Sequence, residues 1–123
     1  MNADYQIARN QYRIWFTKLK SFYYELSPSN FELSDHDSKF GIWLYQNALV
    51  TYRGEKTLIE LDKLYSAIHI SARKLISFKQ NQHEIEAEKE FVKLQDMNSE
   101  MFVLLKNFEI AYNERLFIYS TDE

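Results

Sequence analysis

The sequence predicts an all-α fold, an antiparallel up-down-up-down bundle of four helices. Only two Gly and one Pro occur in 123 residues, so the chain has few of the turns that β-sandwiches and barrels need. Hydrophobic residues make up 46% of the chain and charged residues 27%, which allows both a buried core and a solvated surface. Apolar residues recur at steps of three and four along four segments, the period of an amphipathic helix.

The first two helices are predicted over about residues 3–26 and 35–52. Pro28 ends the first helix, Ser34 can cap the second, and Gly54 follows its end. The apolar seam of the first helix steps by four and three, as in a coiled coil. Its members are Ala8, Tyr12, Trp15, Leu19, Phe22 and Leu26.

The third and fourth helices are predicted over about residues 56–79 and 84–118, on either side of a polar connection. The third has the most regular seam, formed by Leu58, Leu61, Tyr65, Ile68, Ala72 and Leu75. The inner face of the fourth consists of Phe91, Leu94, Met101, Leu105, Phe108 and Tyr112. Short connections between long amphipathic helices are typical of a bundle, so residues 1–123 are expected to form one domain.

Charge and composition exclude several classes of protein. A net charge of -3 argues against nucleic acid or an anionic membrane surface as the partner. The absence of cysteine removes disulfides, thiolate metal sites and thiol nucleophiles. The N-terminus is polar and the apolar runs are short, so no signal peptide and no membrane insertion are expected. We therefore expect a soluble, cytoplasmic protein.

The residues that could carry chemistry do not form a recognisable active site. Histidine occurs only at 36, 69 and 83, without the Glu-x-x-His or H-E-x-x-H spacing of metal sites in helices. Two glycines cannot supply a phosphate-binding loop or a nucleophile elbow. We expect no enzyme. His36 and His83 are expected at the surface, and His69, one turn after Tyr65, in the interior with its hydrogen bonds satisfied.

One part of the chain is more specific. Trp15, then S-D-H-D-S-K-F-G-I-W-L-Y at 34–45 and E-L-D-K-L-Y-S-A-I-H at 60–69, resemble the chemoreceptor zinc-binding (CZB) domain. The resemblance runs from about Ala8 to Lys79, and F-G-x-W-L-Y is its most specific motif. That family is an all-α bundle found on bacterial chemoreceptors and diguanylate cyclases. The resemblance implies a bacterial signal-transduction role and homodimerisation.

The family binds zinc through three histidines and one cysteine, and the resemblance aligns these four positions with Tyr12, Ser38, Tyr65 and His69. Only His69 keeps a ligand of the family. Zinc is normally held by thiolate, imidazole and carboxylate, so we expect a degenerate site without zinc and no other cofactor. Two hypotheses remain for these four residues. They form either a ring of hydrogen bonds around the imidazole, or a core in which the tyrosine hydroxyls reach solvent.

These observations lead to one functional prediction and two alternatives. The prediction is a non-catalytic sensory, regulatory or protein-interaction module that is a zinc-free relative of the CZB domain. The alternatives are a sensor that binds zinc, another small ligand or a proton through His69, and an all-α structural protein. The aromatic segments 22–24 (Phe-Tyr-Tyr) and 117–119 (Phe-Ile-Tyr) are either a surface for self-association or a partner, or scattered surface aromatics.

Overall fold

A computed structural model of the chain describes the backbone of residues 3–25, 38–52 and 55–121, and the side chains of residues 4–24, 38–52 and 55–111. Within these residues every regular element is a helix and no strand occurs, which confirms the all-α class. No helix in this part of the chain combines the length and the apolar character needed to cross a lipid bilayer.

The described ranges contain four helices. The first, third and fourth are continuous: α1 at Ala3–Glu25, α3 at Lys56–Gln80 and α4 at Glu84–Thr121. The second, α2, consists of three consecutive pieces. These are an α-helical turn at Lys39–Ile42, a π-helical segment at Trp43–Ala48 and a last α-helical turn at Leu49–Thr51.

The start of α2 differs from the predicted one near residue 35. Ser38 has an extended backbone (φ -69°, ψ 157°), and its hydroxyl accepts a hydrogen bond of 3.0 Å from the backbone N–H of Gly41. Ser38 is therefore the N-cap, and the helix begins at Lys39. The π-helical segment was also not predicted. The expected cap Ser34 and the helix breaker Pro28 lie outside the described residues.

The core is formed by the predicted seams. Every seam position whose side chain the structure describes is buried in α1, α3 and α4, so these predictions are confirmed. Leu26 and Tyr112 lie outside the described side chains. α2 adds Phe40, Trp43 and Leu44 to the same apolar cluster. Burial of about 25 cal/mol per Å² of apolar surface makes this cluster the main source of stability.

Aromatic rings occupy much of the core. Tyr5 meets the edge of Trp43 at a centroid distance of 5.4 Å, and both lie within 6 Å of the Phe108 ring. Tilted and edge-to-face pairs of this kind add stability beyond their buried area. Tyr5 also donates a hydrogen bond of 3.1 Å to the carbonyl of Leu105, which ties the start of α1 to α4.

The connection between α3 and α4 is a tight turn over residues 81–83. Gln82 has a positive φ of 59°, and the N–H of His83 donates to the carbonyl of Phe78 at 2.8 Å. The carbonyls at the end of α3 are thereby satisfied. Farther along the two helices, the hydroxyl of Ser71 donates to the carboxylate of Glu90, so a polar contact joins them within the packed interface.

The fold predicts a large difference between two neighbouring positions on α3. Leu61 is fully buried, and Leu61→Ala should lower the free energy of unfolding by about 2–5 kcal/mol through lost apolar burial and a cavity. Ile59 is exposed, and Ile59→Ala should change the free energy of unfolding by less than about 1 kcal/mol. Urea unfolding of both variants measures the difference, and equal losses would contradict the assigned face of α3.

Candidate functional site

The four positions that the resemblance aligns with zinc ligands meet in the interior of the protein. Tyr12 lies on α1, Ser38 caps α2, and Tyr65 and His69 lie one turn apart on α3. All four are buried, with exposed fractions of 6% or less. The fold therefore brings together residues that lie up to 57 positions apart in the sequence.

Ser38 and Tyr65 form the central polar contact of this site. Their hydroxyl groups are hydrogen-bonded to each other, while the Ser38 oxygen also accepts from the N–H of Gly41. A hydroxyl has one proton and two lone pairs, so Ser38 serves both partners. One side chain consequently caps α2 and connects it to α3.

His69 is held by its own helix and by two aromatic rings. Its Nδ1 lies 3.1 Å from the carbonyl oxygen of Tyr65. A carbonyl only accepts, so Nδ1 carries the proton of this bond, and the neutral ring keeps its lone pair on Nε2. Trp15 stacks on the imidazole at a centroid distance of 4.6 Å, and the Tyr65 ring meets it nearly edge-on at 4.5 Å. The imidazole is packed as an aromatic group of the core.

Tyr12 does not take part in a ring of hydrogen bonds around the imidazole, which was one of the two hypotheses. Its hydroxyl donates to the side-chain oxygen of Asn98 on α4 at 2.9 Å. Burial, with a smaller contribution from the neighbouring Tyr65, raises the pKa of Tyr12 well above its ordinary value near 10. The phenol therefore stays protonated at neutral pH and acts as a hydrogen-bond donor.

The structure decides one point between the two hypotheses for this site. Tyr12 and Tyr65 are 1% exposed, so the hypothesis that their hydroxyls reach solvent is wrong. The hydroxyls of Tyr12, Ser38 and Tyr65 and the Nδ1 of His69 are instead hydrogen-bonded inside the protein. They do so through Ser38–Tyr65, the backbone contact of His69, and Tyr12–Asn98, rather than through a ring that includes Tyr12.

The residues at this site do not fit zinc. The side-chain oxygens at the four positions belong to the phenols of Tyr12 and Tyr65 and to the hydroxyl of Ser38, and all three are hydrogen-bonded. Because burial raises its pKa, the phenol of Tyr12 also stays protonated. Zinc sites use thiolate, imidazole and carboxylate ligands, and the four positions offer only one of these ligands, the imidazole of His69. Over the described residues, no group of three or more His, Asp or Glu side chains is arranged to hold a metal ion.

Sequence reasoning missed two residues of the site. Asn98 was not named, although the seam of the fourth helix has a gap of seven residues between Leu94 and Met101. A step of three or four from Leu94 requires an inner residue at 97 or 98, so the gap was a usable signal. Phe40 was quoted only as part of a motif, and its ring lies 5.5 Å from Tyr12 and 4.9 Å from Tyr65 between centroids.

Residues 22–24 were considered either as part of a contact surface or as scattered surface aromatics, and only part of this segment is exposed. Phe22 belongs to the core, and Tyr23 stacks on Phe91 at a centroid distance of 4.0 Å. The ammonium group of Lys79 lies 5.1 Å from the centre of the Tyr23 ring. Only Tyr24 is well exposed, at 66%. The side chains of residues 117–119 lie outside those that the structure describes.

His83, the other histidine that the structure describes, lies away from this site. His83 is exposed in the turn between α3 and α4, and His36 lies outside the described residues.

Comparisons of the chain with protein-family models, curated proteins and solved structures found no match. The resemblance to the CZB domain remains a prediction.

A double-mutant cycle tests the contact between Ser38 and Tyr65. Ser38→Ala removes the cap and the partner of the phenol, and should lower the free energy of unfolding by about 1–3 kcal/mol. Tyr65→Phe removes the same contact. The loss in the double variant should therefore be smaller than the sum of the two single losses by about 0.5–1.5 kcal/mol.

The control for this cycle is Tyr45→Phe combined with Ser38→Ala. The Tyr45 hydroxyl donates to Asp62 at 2.7 Å, which is a different partner from Ser38. Its loss should add to that of Ser38→Ala within about 0.5 kcal/mol. Additive losses for Ser38 and Tyr65 would show that the hydroxyl contact does not stabilise the fold.

Alkaline unfolding tests the buried phenol of Tyr12. The unfolded chain loses this proton near pH 10, while the folded chain keeps it because burial raises the pKa. The stabilising effect is complete below about pH 9 and is lost as the pH rises further, by up to ~1.4 kcal/mol per pH unit. Tyr12→Phe should reduce this slope in urea titrations, whereas Tyr24→Phe, at an exposed ring, should leave it nearly unchanged. Equal slopes for the two variants would contradict the assignment.

Proposed function

We propose that this chain is a non-catalytic regulatory or protein-interaction module, a zinc-free relative of the CZB domain. Its helices form an up-down-up-down bundle in this proposal, and its signal leaves through a contact with another protein or with a second copy. The observation that carries the proposal is the closed interior at the four aligned positions, where hydrogen bonds and stacked rings take the place of a metal centre.

The order of contacts between helices supports the bundle. Between α1 and α4, residue numbers rise on one helix as they fall on the other, as expected for opposite directions. The contacts are Tyr5–Leu105, Tyr12–Asn98 and Tyr23–Phe91. Between α1 and α3 the numbers rise together, as expected for alternate helices of an up-down series. These contacts are Tyr12–Tyr65 and Trp15–His69.

The closed interior also supports a role without catalysis. General acids and bases must reach the substrate, and His69, the imidazole at this site, is fully buried under Trp15. The hydroxyl of Ser38 is committed to Tyr65 and to the cap of α2. These contacts stabilise the positions of three helices, which is what a module that presents a fixed surface requires.

A sensor that works through His69 is the second candidate. The observation that favours it is the hydrogen bond from Nδ1 to the Tyr65 carbonyl, which leaves the lone pair of the neutral ring on Nε2. An imidazole in this form binds metals. Binding would require the stack with Trp15 to open, because this ring covers the imidazole. An all-α structural protein without a regulatory role is the third candidate.

Zinc content separates the module from the sensor. The wild-type protein, His69→Ala and the control His83→Ala, which changes an exposed histidine, are each incubated with zinc and desalted. Native mass spectrometry then measures the zinc bound per chain. We expect less than about a tenth of an equivalent in all three, because the donor set is poor. Close to one zinc per chain, lost in His69→Ala and kept in His83→Ala, would overturn the module in favour of the sensor.

A further inference from the structure

A groove with positively charged walls runs between α1 and α4 and is called the α1–α4 groove below. It is lined by Arg9 and Arg13 from α1 and by Phe102, Leu105 and Lys106 from α4, and its volume is about 240 Å³. Arg9 and Arg13 are four residues apart on one helix, and so are Phe102 and Lys106 on the other. Residues with this spacing are neighbours on one face, so each helix contributes one face to the groove.

The floor of the α1–α4 groove is apolar. Leu105 is buried and Phe102 is partly buried against the core. The guanidinium carbon of Arg13 lies 5.2 Å from the centre of the Phe102 ring. A cation is attracted to the face of an aromatic ring, so this contact holds Arg13 above the floor. The groove therefore combines an apolar floor with a cationic rim.

The α1–α4 groove carries more positive charge than its carboxylates neutralise. Glu109 forms an ion pair of 3.3 Å with Arg9, and these side chains are only 19% and 33% exposed. Among the residues that the structure describes, no carboxylate lies within ion-pair distance of Arg13 or Lys106. Three cations thus share one carboxylate, although the net charge of the whole chain is -3.

The residues around the groove keep this excess of positive charge. From residue 5 to residue 24, the sequence of α1 holds four Lys or Arg and no Asp or Glu. On α4, Asp96 and Glu100 lie at least about 120° around the helix from Phe102, so they do not face the groove. A local field of this kind attracts an anionic partner even when the protein as a whole is acidic.

The shape and chemistry of the α1–α4 groove favour a peptide over a small inorganic anion. A guanidinium binds a carboxylate through parallel N–H donors, and Arg9 already binds the carboxylate of Glu109 in this chain. A small anion would contact the cations and leave the Phe102 floor uncovered. A peptide that has an aliphatic side chain between carboxylates would use both the rim and the floor.

We propose that the α1–α4 groove binds an acidic peptide segment of another protein. Carboxylates of the segment lie against Arg9, Arg13 and Lys106, and an aliphatic side chain of the segment lies on Phe102. This inference rests on the proposed interaction function and deepens it, because it places the contact on two helices and names the chemistry of the partner.

Fluorescence polarisation of a labelled peptide, E-E-L-E-E, tests the groove, and saturable binding to the full chain is expected. Arg13→Glu should raise the Kd at least about tenfold, because it removes an attraction and adds a repulsion. The matched control is Lys18→Glu, at an exposed residue about 140° around α1 from Arg13. It makes the same change of charge and should raise the Kd less than about twofold. Circular dichroism checks that both variants fold.

Two results of this titration would overturn the groove as a binding surface. The first is a Kd above about 1 mM for the wild-type protein. The second is an equal increase in Kd for Arg13→Glu and Lys18→Glu, because the peptide would then respond only to the overall charge.

A variant of Glu109 tests whether Arg9 takes part. Glu109→Gln removes the carboxylate that competes with the peptide for Arg9, so it should lower the Kd about threefold. A purely structural role of the Arg9–Glu109 pair would not strengthen peptide binding. An unchanged or higher Kd would therefore overturn the contact of the peptide with Arg9.

A second peptide and inorganic phosphate test the occupant. The peptide E-E-S-E-E lacks the aliphatic side chain and should bind about fivefold more weakly, because it leaves the Phe102 floor uncovered. Equal binding of the two peptides would contradict the use of this floor. Displacement by inorganic phosphate, but not by sodium chloride of the same ionic strength, would overturn the peptide and assign the groove to small anions.

The zinc experiment and the peptide experiment fail separately. A protein that binds neither zinc nor the peptide loses the groove as a binding surface and remains a module that contacts another protein elsewhere. A protein that binds the peptide and also one zinc per chain through His69 keeps the groove and loses the zinc-free module. The two results are independent because the cations of the groove lie at the surface of α1 and α4, whereas His69 is fully buried on α3.

Discussion

The hydrogen bond between the hydroxyls of Ser38 and Tyr65 is the contact on which the arrangement of the interior depends. It fixes where α2 begins, because the same Ser38 oxygen accepts from the N–H of Gly41. It also fixes Tyr65, whose carbonyl orients the imidazole of His69, and this imidazole in turn supports Trp15 of α1. Three helices therefore meet through one small polar contact enclosed by aromatic rings, where the low dielectric strengthens it.

Helix α4 is linked to this interior by a different polar pair, Tyr12 and Asn98. Apolar seams tolerate many ways of sliding one helix along another, whereas a buried hydroxyl that must meet one amide tolerates few. Ser71 and Glu90 impose the same restriction between α3 and α4. The apolar core thus supplies most of the stability, and these few polar pairs select one alignment of the helices.

Local periodicity was sufficient to predict α1, α3, α4 and their core faces, because each seam lies within one helix. It was insufficient where a residue's role depends on a distant one. From the sequence, Ser34 was named as the cap of the second helix, whereas the structure caps α2 with Ser38, whose hydroxyl is hydrogen-bonded to Tyr65, 27 residues further along the chain. One hypothesis placed Tyr12 in a ring of hydrogen bonds around the imidazole, but its hydroxyl donates to Asn98, 86 residues away.

The π-helical segment of α2 has a consequence for how the length of this chain can vary. A π-helical turn contains about one residue more than an α-helical turn, so this segment holds a surplus residue between Leu44 and Ala48. Both of these are buried, while Gln46 and Asn47 between them are exposed. Loss of one exposed residue would convert the segment to ordinary α-helix and remove nothing from the core. In an evolutionary lineage, this is a position within a helix where a single-codon deletion is structurally tolerable.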